Sequence, residues 1–242
     1  MDPMISLRSD IDLAEYSPLI RGMALSLCYA HDNQGIGLTQ SGALNRKFVT
    51  WAADAFNWPE YTVKELYVVN KVLNEQDMPP LWPIHALLKH FKLLRRSKGL
   101  LKATKAGVSL AERPRDLFDL VAPVYLYRFN HTPYLERTDT LHHFWHVFLN
   151  VLNLEAEAGC SLSNLLNVLY GWEETDKYDP DFNDRKYMIR LNVLRPLCWL
   201  GLLRHDRNGL GLFEEGTYYK TPLWQASLRL ESDPEVGSRR LS

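Results

Sequence analysis

Leu93-Leu94-Arg95-Arg96-Ser97-Lys98-Gly99-Leu100-Leu101-Lys102-Ala103-Thr104 is the stretch that decides how this chain is read. Two short extended runs flank a Ser97-Lys98-Gly99 turn, which is the pattern of a β-hairpin. An apolar helix leads into it. Pro83 suits a first helical turn, and Ile84, Leu87, Leu88, Phe91 and Leu94 recur at helical spacing as far as about Leu94. The plan returns in the C-terminal half. A helix expected over 186–200, disturbed by Pro196, leads into Gly201-Leu202-Leu203-Arg204-His205-Asp206-Arg207-Asn208-Gly209, and Gly216-Thr217-Tyr218-Tyr219-Lys220-Thr221 follows. Asn208-Gly209 favours a turn because both residues tolerate positive φ. A fainter echo is Gly37-Leu38-Thr39-Gln40-Ser41-Gly42, which shares a Thr-x-x-Gly ending with Lys102 to Gly107.

Helical spacing also marks 44–57, with Leu44, Phe48, Val49, Ala52, Ala53 and Phe56 on one face, and 62–74, behind Thr62 as a candidate N-cap. A further helix is expected from Pro114, with a bend or restart at Pro123, and the longest pattern runs over 138–156. Ser161 or Ser163 can cap the next helix, which should end at Gly171. Helix, helix, two-stranded wing, helix: this order, carried by 62–112 and 161–230 with a degenerate unit at 12–57, resembles the winged-helix superfamily. The resemblance implies a mainly α fold of tandem winged-helix-like modules with short β-hairpin wings. It divides the chain into an N-terminal helical or degenerate winged-helix segment at 1–60 and a basic module at 61–125. A long helix with a second module follows at 126–230, then a flexible tail at 231–242. Leu38 to Gly42, running into Arg46-Lys47-Phe48-Val49, is also similar to uncharacterised bacterial proteins of mobile elements.

Charge is unevenly spread. The 242 residues carry 28 Lys and Arg against 29 Asp and Glu, a net charge of −1, so the whole chain is no polycation that would coat nucleic acid or anionic membrane indiscriminately. Between Asp77 and Glu112, however, there is no acidic residue and there are seven basic ones: Lys89, Lys92, Arg95, Arg96, Lys98, Lys102 and Lys105. Such a run is ordinarily a solvated face. Here a helix over 83–94 would hold its apolar residues on one arc and His85, Lys89 and Lys92 on another, at about 100° per residue. In a winged helix this would be the recognition helix, the one that enters a major groove, with Arg95, Arg96, Lys98 and Lys102 on the wing where phosphate contacts are common. Lys outnumbers Arg in the segment, which suits phosphate contact better than bidentate reading of guanine. The candidate nucleic-acid-binding residues are therefore His85, Lys89, Lys92, Arg95, Arg96, Lys98, Lys102 and Lys105. The second module, with Asp206, Glu214 and Glu215 among its bases, reads as a scaffold or dimerisation element.

Other chemistry finds little support. His131, His142, His143 and His146 fall close together, and His142 and His146 have the i, i+4 spacing of zinc enzymes. The residue after the first of that pair is His143 rather than the Glu such enzymes use as general base. Asp179-x-Asp181-x-Asn183 begins like a calcium loop, but Asp184 stands where a Gly is needed and Arg190 where a Glu is needed. No phosphate loop, dinucleotide fingerprint or nucleophile elbow occurs, so no catalysis, cofactor, metal or small-molecule substrate is expected. Cys28, Cys160 and Cys198 are far apart and read as small buried residues of a cytoplasmic protein. The apolar run Met23 to Ala30 is too short to cross a membrane. The reading is a non-catalytic DNA-binding protein, with a homodimer or protein partner in view. The alternative is a protein–protein adaptor, since tandem winged helices also resemble accessory subunits of chromosome-organising complexes.

Overall fold

The mainly helical chain divides into two units, Asp12–Val121 and a second made of Met1–Ile11 with Ala122–Ser242. The computed structural model describes residues 3–133, 140–173, 178–207, 209 and 216–234. None of the described helices is long and apolar enough to cross a membrane.

In the first unit, side-chain caps start the helices where the sequence places them. Asp12 caps α1 (Leu13–Tyr16), Ser17 caps α2 (Pro18–Asp32), and the two-residue strand β1 (Ile36–Gly37) follows. Asn45 caps α3 (Arg46–Ala55), and a Thr62–Glu65 capping box opens α4 (Val63–Val69). Then come α5 (Leu81–His90), β2 (Leu94–Ser97), β3 (Leu100–Ala103), α6 (Lys105–Ala111) and α7 (Pro114–Tyr127). β3 is central. It pairs antiparallel with β2, Leu94 opposite Ala103, and on its other edge with β1, Ile36 opposite Leu101. Residues 12–60 thus complete the same unit as 61–121. Leu19, Met23 and Leu27 of α2, Phe48 and Val49 of α3, and Ile84, Leu87 and Leu88 of α5 are buried, each stabilising the unit by about 1.5–3 kcal/mol.

Three helices that begin in the first unit depart from their expected course, and in the second unit the helix expected over 138–156 is α-helical only over Trp145–Glu155 while the one expected over 186–200 already begins at Pro180. α4 stops at Val69 rather than 74, so Val72 lies outside it. α5 stops at His90 rather than near Leu94, because Leu94 is buried from a strand. α7 runs through Pro123 without a restart, with Phe118, Val121, Ala122 and Tyr125 buried around the proline.

The second unit places a 3-10 turn at Thr140–Phe144 before α8 (Trp145–Glu155), then β4 (Cys160–Ser161) and α9 (Leu162–Tyr170). Ser161 caps α9, and Gly171 ends it with φ of 71°. α10 (Pro180–Ile189), capped by Asp179, passes through a π-helical stretch at Arg190–Leu194 into α11 (Arg195–Leu200). The π stretch is the disturbance expected of Pro196, which has no N–H to give the ladder. β5 (Leu203–Arg207), β6 (Gly216–Lys220) and α12 (Pro222–Ser227) follow. β6 lies between β5 and β4. Asn208 of the expected turn lies outside the described residues. The N-terminal segment closes this unit: Ile5 bridges Leu228, and the amides of Ser6 and Arg8 donate to the carbonyls of Ser227 and Ala226 at 3.1 and 2.9 Å. Residues 231–233, expected to begin a flexible tail, are tied to α8. The Ser232 amide donates to Asn150 Oδ1 (2.9 Å) and Asn153 Nδ2 donates to Asp233 Oδ1 (3.0 Å). Residues 235–242 lie outside the described set.

Both hairpins are entered and left in the same way. After α5, the Leu93 amide reaches back to the Leu88 carbonyl (2.9 Å). After α11, Leu202 reaches Leu197 (2.9 Å). These are the six-to-one bonds of a Schellman turn, whose pivot residue takes the left-handed conformation. The pivots are Lys92, φ 55°, and Gly201, φ 92°. At the far end of each hairpin stands a threonine. Thr104 N–H donates to Leu93 O at 2.9 Å, its hydroxyl lies 3.1 and 3.2 Å from the carbonyls of Lys92 and Leu93, and it accepts the Gly107 amide at 3.1 Å. Thr221 repeats this with Leu202 O (3.0 Å), Gly201 O (2.6 Å) and the Leu223 amide (3.2 Å).

The second unit also buries His131, 7% exposed, edge-on to Tyr125 with ring centroids 4.8 Å apart. Its backbone carbonyl accepts Arg195 Nη2 at 2.7 Å. Burial first and the Arg195 charge second push the imidazole down to about 3, against a hydrogen bond to the Tyr125 backbone. The unfolded chain binds a proton there near pH 6.5 while the folded one does not, so stability is intact above that pH and lost as pH falls towards 3.

Two outcomes follow from this packing. A β-carbon on Gly107 would sit 2.3 Å from the Leu93 carbonyl oxygen and 3.0 Å from Leu27 Cδ2. Gly107→Ala should therefore cost about 1–3 kcal/mol in urea unfolding. For the second unit, unfolding free energies measured between pH 7 and 4.5 should fall by up to about 1.4 kcal/mol per pH unit below 6.5, and His131→Phe should flatten that slope.

Candidate nucleic-acid interface

The C-terminal end of α5, the turn after it and the β2–β3 hairpin carry the acid-free segment. Lys89 is exposed on the last turn of α5, Lys92 on the Schellman pivot, Arg95 and Arg96 on β2, Lys98 at the hairpin tip and Lys105 at the start of α6. Lys102 on β3 is half-buried. Among the described residues none of these seven side chains makes an ion pair or a side-chain hydrogen bond.

This arrangement works against local stability in two ways. Arg95 and Lys102 are directly opposite in the β2–β3 register, and like charges so placed repel. Lys92 and Lys98 hold φ of 55° and 49°, a region where a side chain costs roughly 1–2 kcal/mol. A bound anion would relieve the first of these penalties.

His85 does not join the exposed set. Its side chain is 13% exposed, and Nδ1 lies 2.7 Å from Glu75 Oε1. The other oxygen of Glu75 accepts the Leu44 amide at 2.6 Å. Glu75 therefore ties the approach to α3 to the middle of α5, and His85 is a strut where the helical arc suggested a ligand contact. Nearby, exposed Arg46 donates through Nε to Asn74 Oδ1 at 2.9 Å. No spacing in the sequence marks Glu75 for this role, because its partners lie 10 and 31 residues away.

The second hairpin is electrically different. Arg204 is paired in bidentate fashion with Asp206 at 2.8 and 2.9 Å, and Lys220 is paired with Glu157. The histidine-rich segment places His143 and His146 on the surface, while the side chain of His142 lies outside the described residues. Among the described residues no three His, Cys, Asp or Glu side chains gather as a metal site. Cys160 is buried and Cys198 half-buried, but Cys28 is exposed, contrary to the expectation of a buried thiol, because it lies off the core face of α2.

Removing the Glu75 carboxylate should loosen α5 without touching the exposed bases. Glu75→Ala leaves the His85 ring and the Leu44 amide unpaired and should lower the unfolding free energy by about 1–3 kcal/mol, read by chemical denaturation.

Residues 15–116 match the family described as the Y4jL N-terminal domain, and residues 135–222 match the y4jL C-terminal domain. The chain is 50% identical over 173 residues to the uncharacterized protein y4jL of Sinorhizobium fredii (strain NBRC 101917 / NGR234), an alignment covering 70% of this chain and 78% of that relative. No solved structure matches. A two-unit protein whose halves meet these two domain families in order, and which is half identical to that relative over 173 residues, belongs to the Y4jL family.

Proposed function

We propose that this chain is a non-catalytic, cytoplasmic DNA-binding protein of tandem winged-helix-like modules, acting through α5 and the β2–β3 wing. The observation that carries the reading is the set of unpaired bases: Lys89, Lys92, Arg95, Arg96, Lys98, Lys102 and Lys105, along one helix end and hairpin with no carboxylate among them. Support for the modular reading comes from the repeated order of helix, Schellman turn, two-stranded wing and capped helix in both units. Phosphate neutralisation supplies the affinity, and α5 is anchored for it by Ile84, Leu87 and Leu88 in the core and by the Glu75–His85 pair.

The second reading, an adaptor that grips a protein partner or a second copy, draws on α8. Phe144, Val147 and Leu154 are exposed there beside buried Trp145 and Phe148.

Replacing Lys89, Lys92 and Arg96 together by Ala should weaken duplex DNA binding at least tenfold at low salt. It should also reduce the slope of log K against log salt by about 3, measured by fluorescence anisotropy. Unchanged binding would reject the DNA reading and leave the adaptor one.

A further inference from the structure

The face described above has features that bear on how it would hold its ligand. Helix α5, Leu81–His90, exposes Lys89 and His90, half-exposes Trp82, His85 and Ala86, and buries the rest. It carries no Arg, Asn or Gln, the side chains that read guanine and adenine edges with two hydrogen bonds. Its half-exposed imidazole, His85, is held by Glu75, and the exposed ring of His90 stands edge-on to Phe91 with centroids 4.9 Å apart. The charge that remains exposed on the helix is Lys89, a point charge on a flexible stem, suited to a phosphate rather than a base. Nor is there a platform for unstacked bases, since the unit's exposed aromatic ring among the described residues, Tyr67, sits on α4.

The two left-handed lysines carry a second, independent signal. At the pivot after α11 the second unit uses Gly201, the residue that backbone sterics favour. At the equivalent pivot after α5, with the same six-to-one hydrogen bond, the first unit holds Lys92. At the hairpin tip, Lys98 and Gly99 have φ of 49° and 77°. A two-residue turn with both positions left-handed favours Asn or Asp at the first place. Lysine stands at both positions where the fold would prefer something else, and both lysines point no carboxylate-paired group into the protein. Their positions bracket β2, with Arg95 facing Lys102 between them.

We infer that this face grips duplex DNA by its phosphates without reading base sequence, and that Lys92 and Lys98 are phosphate contacts kept at the expense of fold stability. The inference rests on the DNA reading of the same face and names its substrate class: double-stranded DNA of any sequence.

The test uses the full chain with Lys92→Gly, Lys98→Asn and, as a charge control on α4, Lys64→Gln. Two duplexes of unrelated sequence, a randomised duplex pool and a matching single strand are titrated by anisotropy across a salt series, and each protein is melted. The unaltered chain should bind the two duplexes within about threefold of each other, be competed equally by the pool, and prefer them to the single strand. Each of Lys92→Gly and Lys98→Asn should raise the melting temperature by about 2 °C, weaken binding several-fold and reduce the salt slope by about 1. Lys64→Gln should leave binding and slope unchanged. A preference above tenfold for one duplex, or tighter binding of the single strand, overturns the sequence-indifferent duplex mode while leaving DNA binding intact. A lowered melting temperature, or unaltered affinity in both lysine variants, overturns the role given to Lys92 and Lys98. Absence of binding to every duplex at low salt rejects the DNA reading itself, and this inference with it.

Discussion

One threonine in each unit fixes where a hairpin stands relative to the helix before it and the helix after it. Thr104 and Thr221 each spend their amide and hydroxyl on the carbonyls at a helix–strand junction, then accept an amide from the next helix. Three elements are locked by the amide and hydroxyl of one residue. The close approach of α6 to the junction, where Gly107 faces the Leu93 carbonyl, belongs to the same lock in the first unit. The direction of the hairpin, and with it the placement of every basic residue on it, depends on this junction.

Two hairpins built on one plan differ in electrostatics. In the second unit Arg204 and Lys220 are neutralised by Asp206 and Glu157, and the pivot is a glycine. In the first unit the bases have no acidic partners among the described residues, two of them oppose each other across the strands, and the pivot is a lysine. Ordinary folding pressure would place counter-charges and glycine in both. The contrast between the two hairpins is therefore one of charge and backbone conformation: the first leaves its bases unpaired around a left-handed lysine, and the second neutralises Arg204 and Lys220 beside a left-handed glycine.

Much of this was legible from local chemistry. The β2–β3 hairpin follows from a Lys98-Gly99 turn between leucine pairs, and Thr62, Ser161 and Gly171 bound their helices as short-range capping rules require. The places where sequence reading fell short are those settled at long range. Strands β1 and β4 have two residues each, too few to show any periodicity, and exist because the edges of β3 and β6 need partners. The early end of α5 was hidden because Leu94 continues the helical apolar pattern while being buried from a strand. His85 shares the arc of Lys89, and only the folded chain brings Glu75 to it. The run of basic residues was therefore readable as a set of charges, while the pairing that withdraws His85 from the exposed set is a tertiary contact.

The pairing of residues 5–8 with 226–228 has a consequence for how the molecule is made. The second unit takes residues 1–11 from before the first unit and everything else from after it, so residues 12–121 are in effect an insertion within it. On the ribosome the inserted unit holds all its core residues long before α12 is made. The segment at 5–8 is made before the inserted unit and waits for α12 to be synthesised. A partly apolar segment with unpaired backbone groups is thus carried through synthesis of the whole inserted unit, which makes it a part of the nascent chain in need of shielding.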